Sequence, residues 1–438
     1  MILYFSIENY RSIGMEQEIF FEPNTDKIHS EKLLSTENYR ALPVIPIYGG
    51  NATGKTNILR ALKTLQELIN GDKNIKESYE RCQFIQKKHT SFKVNFLKNN
   101  IKYHYLISYS SKNIKEEALY YYPHGKPSKI FHRKLNNFSF GSSFEGTLKK
   151  TMEKNSKERP FLYVAGFWDE KIENIKDPYD FFKEDIIFLN FESNKDSIKS
   201  VKQELSRSKN QKKITRFMNT IFKELNTGII GLRVGSLKPL LEEKEIVERL
   251  IAGDTSIDIK FKGEEAEIEL NIELLRKLLL NNEDIVQLIY DIDGKHIGIS
   301  IEEESKGIQK IFMLGMEISE AVCNQKVLLF DELETGFHPI LSKKIIEIFM
   351  NEKPERLSQL IFSTHDTNLL DLEIFRRDQI YFTEKSKDSK YQTVIKPLSE
   401  IRGIRKTTDI EKEYLKGKYC SFPQLKTLVQ DILDGCDN

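Results

Sequence analysis

At 438 residues the chain is too long for one ordinary domain and fits one large elaborated domain or two smaller ones. Hydrophobic residues make up 39% and charged residues 30%, which predicts a soluble protein with a real core. A formal net charge of +1 excludes any argument from overall basicity for nucleic acid and leaves only local patches.

In the opening stretch, MILYFSIENYRS, apolar residues alternate with polar ones, and Glu8 and Arg11 follow at once, so no signal peptide is read there. No apolar run approaches the roughly 18 residues a membrane span needs. A cytoplasmic chain with no membrane partner is expected. Cys82, Cys323, Cys420 and Cys436 show no C-x-x-C pairing, so reduced thiols and no zinc site are expected.

Ile2 to Ile7 predicts a strand, with a turn at Asn9–Ser12 and a second strand near Glu18–Phe21. Val44–Tyr48 reads as a short apolar strand in spite of Pro43 and Pro46. Ile58, Leu62, Leu65 and Ile69 fall at helical spacing and predict a helix over 57–70, stopped by Gly71. Alternation over Ser91–Phe96 and Tyr103–Tyr109 predicts a β meander, continued by Leu119–Tyr122 and Lys129–Arg133. From about Gly146 to Leu225 the pattern turns helical and Lys-rich, and Leu237–Leu250 and Asn271–Leu280 also read as helices. Ile285–Tyr290 and Ile297–Ile301 are strands joined across Asp293-Gly294, a hairpin turn signal. Then come a helix over Ile308–Val322, a buried strand Val327–Phe330, a helix Ile340–Phe349 and a buried strand Gln359–Ser363. The tail beyond Phe382 is polar and mixed. No sustained heptads argue for a coiled-coil arm.

Gly49-Gly50-Asn51-Ala52-Thr53-Gly54-Lys55-Thr56 matches G-x-x-x-x-G-K-[ST], between a predicted strand and a predicted helix that opens at Asn57. Glycines let the backbone wrap phosphates, and the amides and the positive end of the helix dipole face the anion. Lys55 would reach the outer phosphates, and the Thr56 hydroxyl would ligate Mg²⁺. The plain alternative is a Gly-rich turn with no ligand.

Val327–Phe330 delivers Asp331 and Glu332 to the ligand-binding edge of a parallel sheet. There Asp331 can hold the Mg²⁺ shell and Glu332 can orient or deprotonate the attacking water. His365, just past Gln359–Ser363, would lie at the γ-phosphate. Solvated acids and a satisfied surface histidine are the plain readings of these residues taken singly.

In order, Lys55, Asp331-Glu332 and His365 resemble the Walker A, Walker B and switch histidine of ABC-type ATPases. Glu304-Ser305-Lys306-Gly307-Ile308-Gln309 resembles their L-S-G-G-Q signature, keeping Ser305, Gly307 and Gln309, with Lys306 where the family has its first Gly. Ser305 reads as a helix N-cap making a second anion site. In the family that site grips the γ-phosphate bound by the other protomer. Transporter subunits place the signature much closer to Walker A. The Ile-Glu-Asn-Tyr-Arg-Ser start is similar to SMC, RecF and OLD-type heads. Asp331-Glu332-Leu333-Glu334-Thr335-Gly336-Phe337-His338-Pro339 resembles the D-E-x-E…H-P of RloA/AbiL-like stand-alone bacterial ATPases.

The resemblance implies an α/β P-loop fold of ABC/SMC-head type, with a mixed sheet, an antiparallel meander and a mainly helical insertion. It divides the chain into a first head lobe (1–145), the insertion (146–284), a second head lobe (285–400) and a tail packed on the head (401–438). It implies ATP and Mg²⁺, a homodimer or higher homo-oligomer of ATP-sandwiched heads, and slow ATP hydrolysis. The role it implies is sensor or regulator of a bacterial anti-phage, abortive-infection system with a separate nuclease or toxin effector. The alternative is a RecF/SMC-like DNA-repair ATPase; a transporter motor ranks third. OLD-type relatives carry a C-terminal Toprim nuclease, for which residues 366–438 are too few. Gln83 and Gln86 are candidates for the Q-loop or plain surface residues, and Arg11 touches nucleotide or caps the first turn. Lys199, Lys202, Arg207, Lys209, Lys212, Lys213 and Arg216 could meet a phosphate backbone, though a solvated helix face is the simpler reading. Phe161–Trp168 and Tyr179–Phe182 read as core or partner contacts rather than base-stacking platforms.

Overall fold

The computed structural model describes residues 1–168, 172–189, 198, 201–202, 205, 210–224, 227–235, 256–260, 267–271, 285–336, 339–350, 357–385, 388–405 and 407–419. The expected helix over 237–250, nearly all of that over 271–280, Lys199, Arg207, Lys209, Phe337, His338, Cys420, Cys436 and the tail beyond 419 lie outside the described residues. The chain forms two compact units, Met1–Asn190 with Gln325–Asn438, and Phe191–Asn324. The lobe boundaries at 145, 284 and 400 expected from the sequence rest on different grounds and remain a proposal.

In the first unit, β1 (Ile2–Glu8) pairs antiparallel with β2 (Gln17–Phe20). Two short strands, β3 (Leu34–Ser35) and β4 (Arg40–Ala41), precede β5 (Val44–Gly49), which runs into α1 (Lys55–Asn70). The meander follows: β6 (Thr90–Lys98), β7 (Ile101–Tyr109), β8 (Ile114–Tyr122), β9 (Ser128–Lys134) and β10 (Asn137–Phe140). Its alternating inward residues, Phe92, Val94, Phe96, Tyr103, Tyr105 and Ile107, are all fully buried, as a period of two demands. With β1 and β2 it makes a seven-stranded antiparallel sheet, ordered β10-β9-β8-β7-β6-β1-β2.

Helices α2 (Glu145–Met152), α3 (Phe161–Trp168) and α4 (Glu173–Glu184) lead to β11 (Ile186–Leu189), a strand that the helical reading of this stretch misses. The Ile186–Leu189 run is too short and too apolar for periodicity to separate a strand from a helix turn.

In the second unit, α5 (Gln211–Glu224) and β12 (Ile229–Gly235) precede the hairpins β13 (Ser256–Lys260)–β14 (Glu267–Asn271) and β15 (Ile285–Ile292)–β16 (Lys295–Ser300). Asp293 and Gly294 both take positive φ, 53° and 78°, as the turn chemistry requires. α6 (Lys306–Cys323) packs Phe312 and Met316 with Ile214, Met218 and Phe222 of α5 and Val286 and Leu288 of β15. Lys212, Lys213 and Arg216 face solvent on α5, whereas Lys202 is buried and pairs with Glu302.

The first unit then resumes with β17 (Val327–Phe330), α7 (Leu333–Gly336), α8 (Pro339–Met350), β18 (Gln359–Ser363), β19 (Tyr381–Glu384), β20 (Val394–Pro397) and α9 (Ile410–Leu415). The six-stranded sheet is ordered β11-β17-β18-β5-β19-β20. All pairs are parallel except β19–β20. It is therefore a mixed sheet, and its central strands are apolar throughout because helices cover both faces. The fold is α/β of the P-loop kind, with the antiparallel meander as a second sheet. Among the described residues, no helix is long and apolar enough to cross a membrane.

Candidate functional site

The site is built at the carboxyl edge of the parallel sheet, where open α/β sheets hold ligands. β5 lies between β18 and β19. The strand order thus places the loop after Gly49 beside the ends of β18 and β19, with β17 one position beyond β18.

Gly49 ends β5, and Gly54 is the N-cap of α1 with φ 108°. A Cβ on Gly54 would come within 2.2 Å of Thr393 Oγ1 and 2.9 Å of Ser12 Oγ. Only glycine fits that position without strain. The loop is clamped by hydroxyls: Thr53 Oγ1 donates to Gly50 O at 2.8 Å and lies 2.7 Å from Thr383 Oγ1. Thr393 Oγ1 donates to Thr53 O at 2.7 Å and lies 2.7 Å from Ser12 Oγ, which accepts from Asn57 Nδ2 at 2.7 Å. Asn51 and Ala52 at the loop tip are exposed, and Ala52 takes φ 62°.

Lys55 turns back into the cradle. Its ammonium donates to Gly49 O at 2.8 Å and Gly50 O at 3.1 Å, and lies 2.9 Å from His365 Nε2. Thr56 Oγ1 donates to Asp331 Oδ1 at 3.0 Å, and Ser363 Oγ donates to the same oxygen at 2.6 Å. Ser363 Oγ in turn accepts from Glu332 N at 2.8 Å. Glu332 takes φ 55°, a left-handed conformation that costs a non-glycine residue about 1–3 kcal/mol and recurs at functional sites. Its side chain is exposed.

Burial, followed by the Lys55 charge, holds His365 below the ordinary histidine range. A neutral ring can accept from the ammonium at Nε2. Glu334 pins the histidine from behind, its Oε1 accepting from His365 N at 2.5 Å.

The structure therefore brings Gly49, Gly50, Asn51, Ala52, Thr53, Gly54, Lys55, Thr56, Asn57, Asp331, Glu332 and His365 to one edge. Ser305, Gly307 and Gln309 belong to the second unit. There Ser305 caps α6, its Oγ accepting from Ile308 N at 3.3 Å. Ser305, Lys306 and Gly307 are exposed, and a Cβ on Gly307 would meet nothing closer than Ser305 Oγ at 3.9 Å. Gln309 Nε2 folds back on Glu302 O and Glu304 O, at 3.1 and 3.0 Å.

Gln83 and Gln86 are exposed. Arg11 pairs with Glu80 at 2.6 Å and reaches Asn57 Oδ1 at 3.5 Å. Sequence reasoning missed Ser12, Ser363, Glu334, Thr383 and Thr393. Ser12, Ser363 and Glu334 sit inside motifs already singled out. Thr383 and Thr393 lie in the polar tail, where nothing in the pattern marks a hydroxyl as structural.

Among the described residues, no group of three or more His, Cys, Asp or Glu is gathered to hold a metal. Thr56 and Asp331 form instead a pair of adjoining oxygen donors. Such a sparse hard-oxygen set suits Mg²⁺, which keeps waters and shares its shell with substrate phosphates.

Residues 45–371 match the family described as "AAA domain, putative AbiEii toxin, Type IV TA system". A comparison with curated proteins found no match. Among solved structures, the chain is similar to an Smc head bound to the C-winged-helix domain of ScpA, at 12% identity and TM-score 0.45, covering 91% of this chain and 99% of that one. An SMC head domain from Thermotoga maritima matches at 11% identity and TM-score 0.39, covering 90% and 98%. The recombination mediator protein RecF matches at 13% identity and TM-score 0.38, covering 91% and 98%.

Proposed function

The chain belongs to the AAA-domain family of that description, and from this premise we propose that it is an ABC-type ATPase whose site is completed by a second copy. The observation that carries the reading is the junction at Asp331, whose Oδ1 accepts from both Thr56 and Ser363. It joins the phosphate loop to two strands remote in sequence.

In this reading, the amides opening α1 and the Lys55 ammonium neutralise the outer phosphates, since phosphoryl transfer depends on positioning and charge neutralisation. Thr56 and Asp331 would hold Mg²⁺, whose charge offsets that of the phosphates. Glu332 takes the proton of a water attacking the γ-phosphorus as the bond to the β,γ-bridging oxygen breaks, giving ADP and inorganic phosphate. His365 hydrogen-bonds the transferred group, released from Lys55 once a triphosphate draws the ammonium outward. Ser305, Gly307 and Gln309 of a second copy close over the γ-phosphate, a role supported by the exposure of Ser305, Lys306 and Gly307 where α6 opens.

The biological role proposed is that of an ATP-occupancy switch: a sensor or regulator in an abortive-infection type of anti-phage system, acting with a separate effector. The family's description is what supports it.

Complementation in trans tests the shared site. Lys55→Ala and Ser305→Arg should each be inactive alone. Mixed, they form one site with both residues intact, so ATP hydrolysis should return to a substantial fraction of wild type. A mixture as inactive as its components would refute the shared site, while leaving nucleotide binding by Ser305→Arg as the separate measure of the phosphate cradle.

A further inference from the structure

Helix α3 begins in the core and ends at the surface. Phe161, Leu162 and Ala165 are fully buried, yet Phe167 and Trp168 are 56% and 55% exposed. Their rings meet edge to face with centroids 5.3 Å apart, and Tyr163 stacks on Phe167 at 6.4 Å. The expectation that this whole stretch is core or partner contact thus divides along the helix.

Each end of the aromatic row carries a cation. Lys154 Nζ lies 3.6 Å from the centroid of Trp168, and the Arg159 guanidinium 5.1 Å from that of Tyr163. The approach to α3 is basic, with Lys149, Lys150, Lys154, Lys157 and Arg159 against Glu145, Glu153 and Glu158; Lys149 pairs with Glu145, and Asp169, Glu170 and Lys171 follow Trp168 in the sequence.

We propose that this face binds single-stranded nucleic acid, with bases stacked on Phe167 and Trp168 and backbone phosphates paired with Lys154 and Lys157. The argument is the pairing of ring with cation. In a single strand every base brings a phosphate with it, so a site for it must alternate flat apolar surface with positive charge. A duplex hides its base faces and offers these rings nothing to stack on. The inference is independent of nucleotide hydrolysis, and its test uses no ATP.

Trp168 is the sole tryptophan of the chain, so its fluorescence reports on this face alone. The full chain is titrated with single strands of about 16 nucleotides, one of DNA and one of RNA, each against its own duplex. Saturable quenching by at least one single strand is expected, weakening as salt rises because phosphate contacts release counterions. The more strongly quenching strand identifies the sugar. Phe167→Ala should weaken binding about tenfold. Lys154→Ala should lower the slope of log affinity against log salt by about one phosphate contact. Both side chains are exposed, so an unchanged melting temperature is expected alongside. Absence of quenching by both single strands at low salt, equal quenching by the duplexes, or quenching indifferent to Phe167→Ala would overturn the proposal. So would protection of Trp168 by a protein partner alone, which would assign the face to that protein.

Discussion

Lys55 and His365 hold each other in place, and the ammonium biases the charge state of the ring. Burial favours a neutral imidazole, and the ammonium at 2.9 Å adds to the effect. Because the folded ring resists protonation, its contribution to stability is present above the unfolded histidine value of about 6.5. That contribution falls as pH drops from there toward the lower folded value, where the unfolded chain takes up a proton the folded one refuses. Lys55→Met removes the neighbouring charge, so the His365 titration followed by NMR should move upward, toward the ordinary range. The same substitution should abolish detectable ATP binding in calorimetry. An unmoved His365 titration would show that Lys55 does not set its charge state. Retained tight binding would rule out the phosphate cradle.

At the scale of elements, the first unit depends on a buried charge network as well as on apolar packing. Glu117 on β8 is fully buried and accepts from Phe161 N at 2.7 Å and Leu162 N at 2.9 Å, satisfying the amides that open α3. It also accepts from Tyr105 at 3.0 Å and lies 3.7 Å from the buried guanidinium of Arg133. Burial pushes its carboxyl up, with Arg133 opposing. Glu117→Ala would take the carboxylate from the buried Arg133, whose guanidinium keeps its bonds to Leu135 O, Asn155 Oδ1, Ser156 O and Arg159 O. It would also strip the Phe161 and Leu162 amides of their acceptor. Breaking a buried pair costs up to about 3–5 kcal/mol. The loss should be read as a lower urea midpoint, with α3 opening first in hydrogen exchange. An unfolding midpoint within error of wild type would show that the other acceptors of Arg133 suffice and that water takes up the amides opening α3. α3 also shows the limit of reading an element from its letters: FLYVAGFW is apolar all round, and only its packing against α1, α2, α4 and the meander decides which end is covered.

At the scale of the whole molecule, function in the proposed reading depends on two copies closing around two triphosphates. Glu332→Gln keeps the side chain's shape and removes its basicity, so hydrolysis should fall by orders of magnitude while ATP binding persists. Light scattering should then show an ATP-dependent dimer that outlasts the wild-type one. Hydrolysis at the wild-type rate would dismiss Glu332 as the catalytic carboxylate.

The sequence by itself determined the phosphate loop, the strand ending in Asp331-Glu332, the histidine after the next strand and the period-two meander. Each is a local signal: a glycine where φ must be positive, an apolar run of strand length, or an alternation matched to one buried face. Only the tertiary structure decided that β5 sits between β18 and β19, that β11 joins the same sheet, and that Thr383 and Thr393 from the polar tail clamp the phosphate loop. Those outcomes depend on which strands pair across hundreds of residues. That choice is made by the burial of whole surfaces against one another and leaves no period in the chain to read.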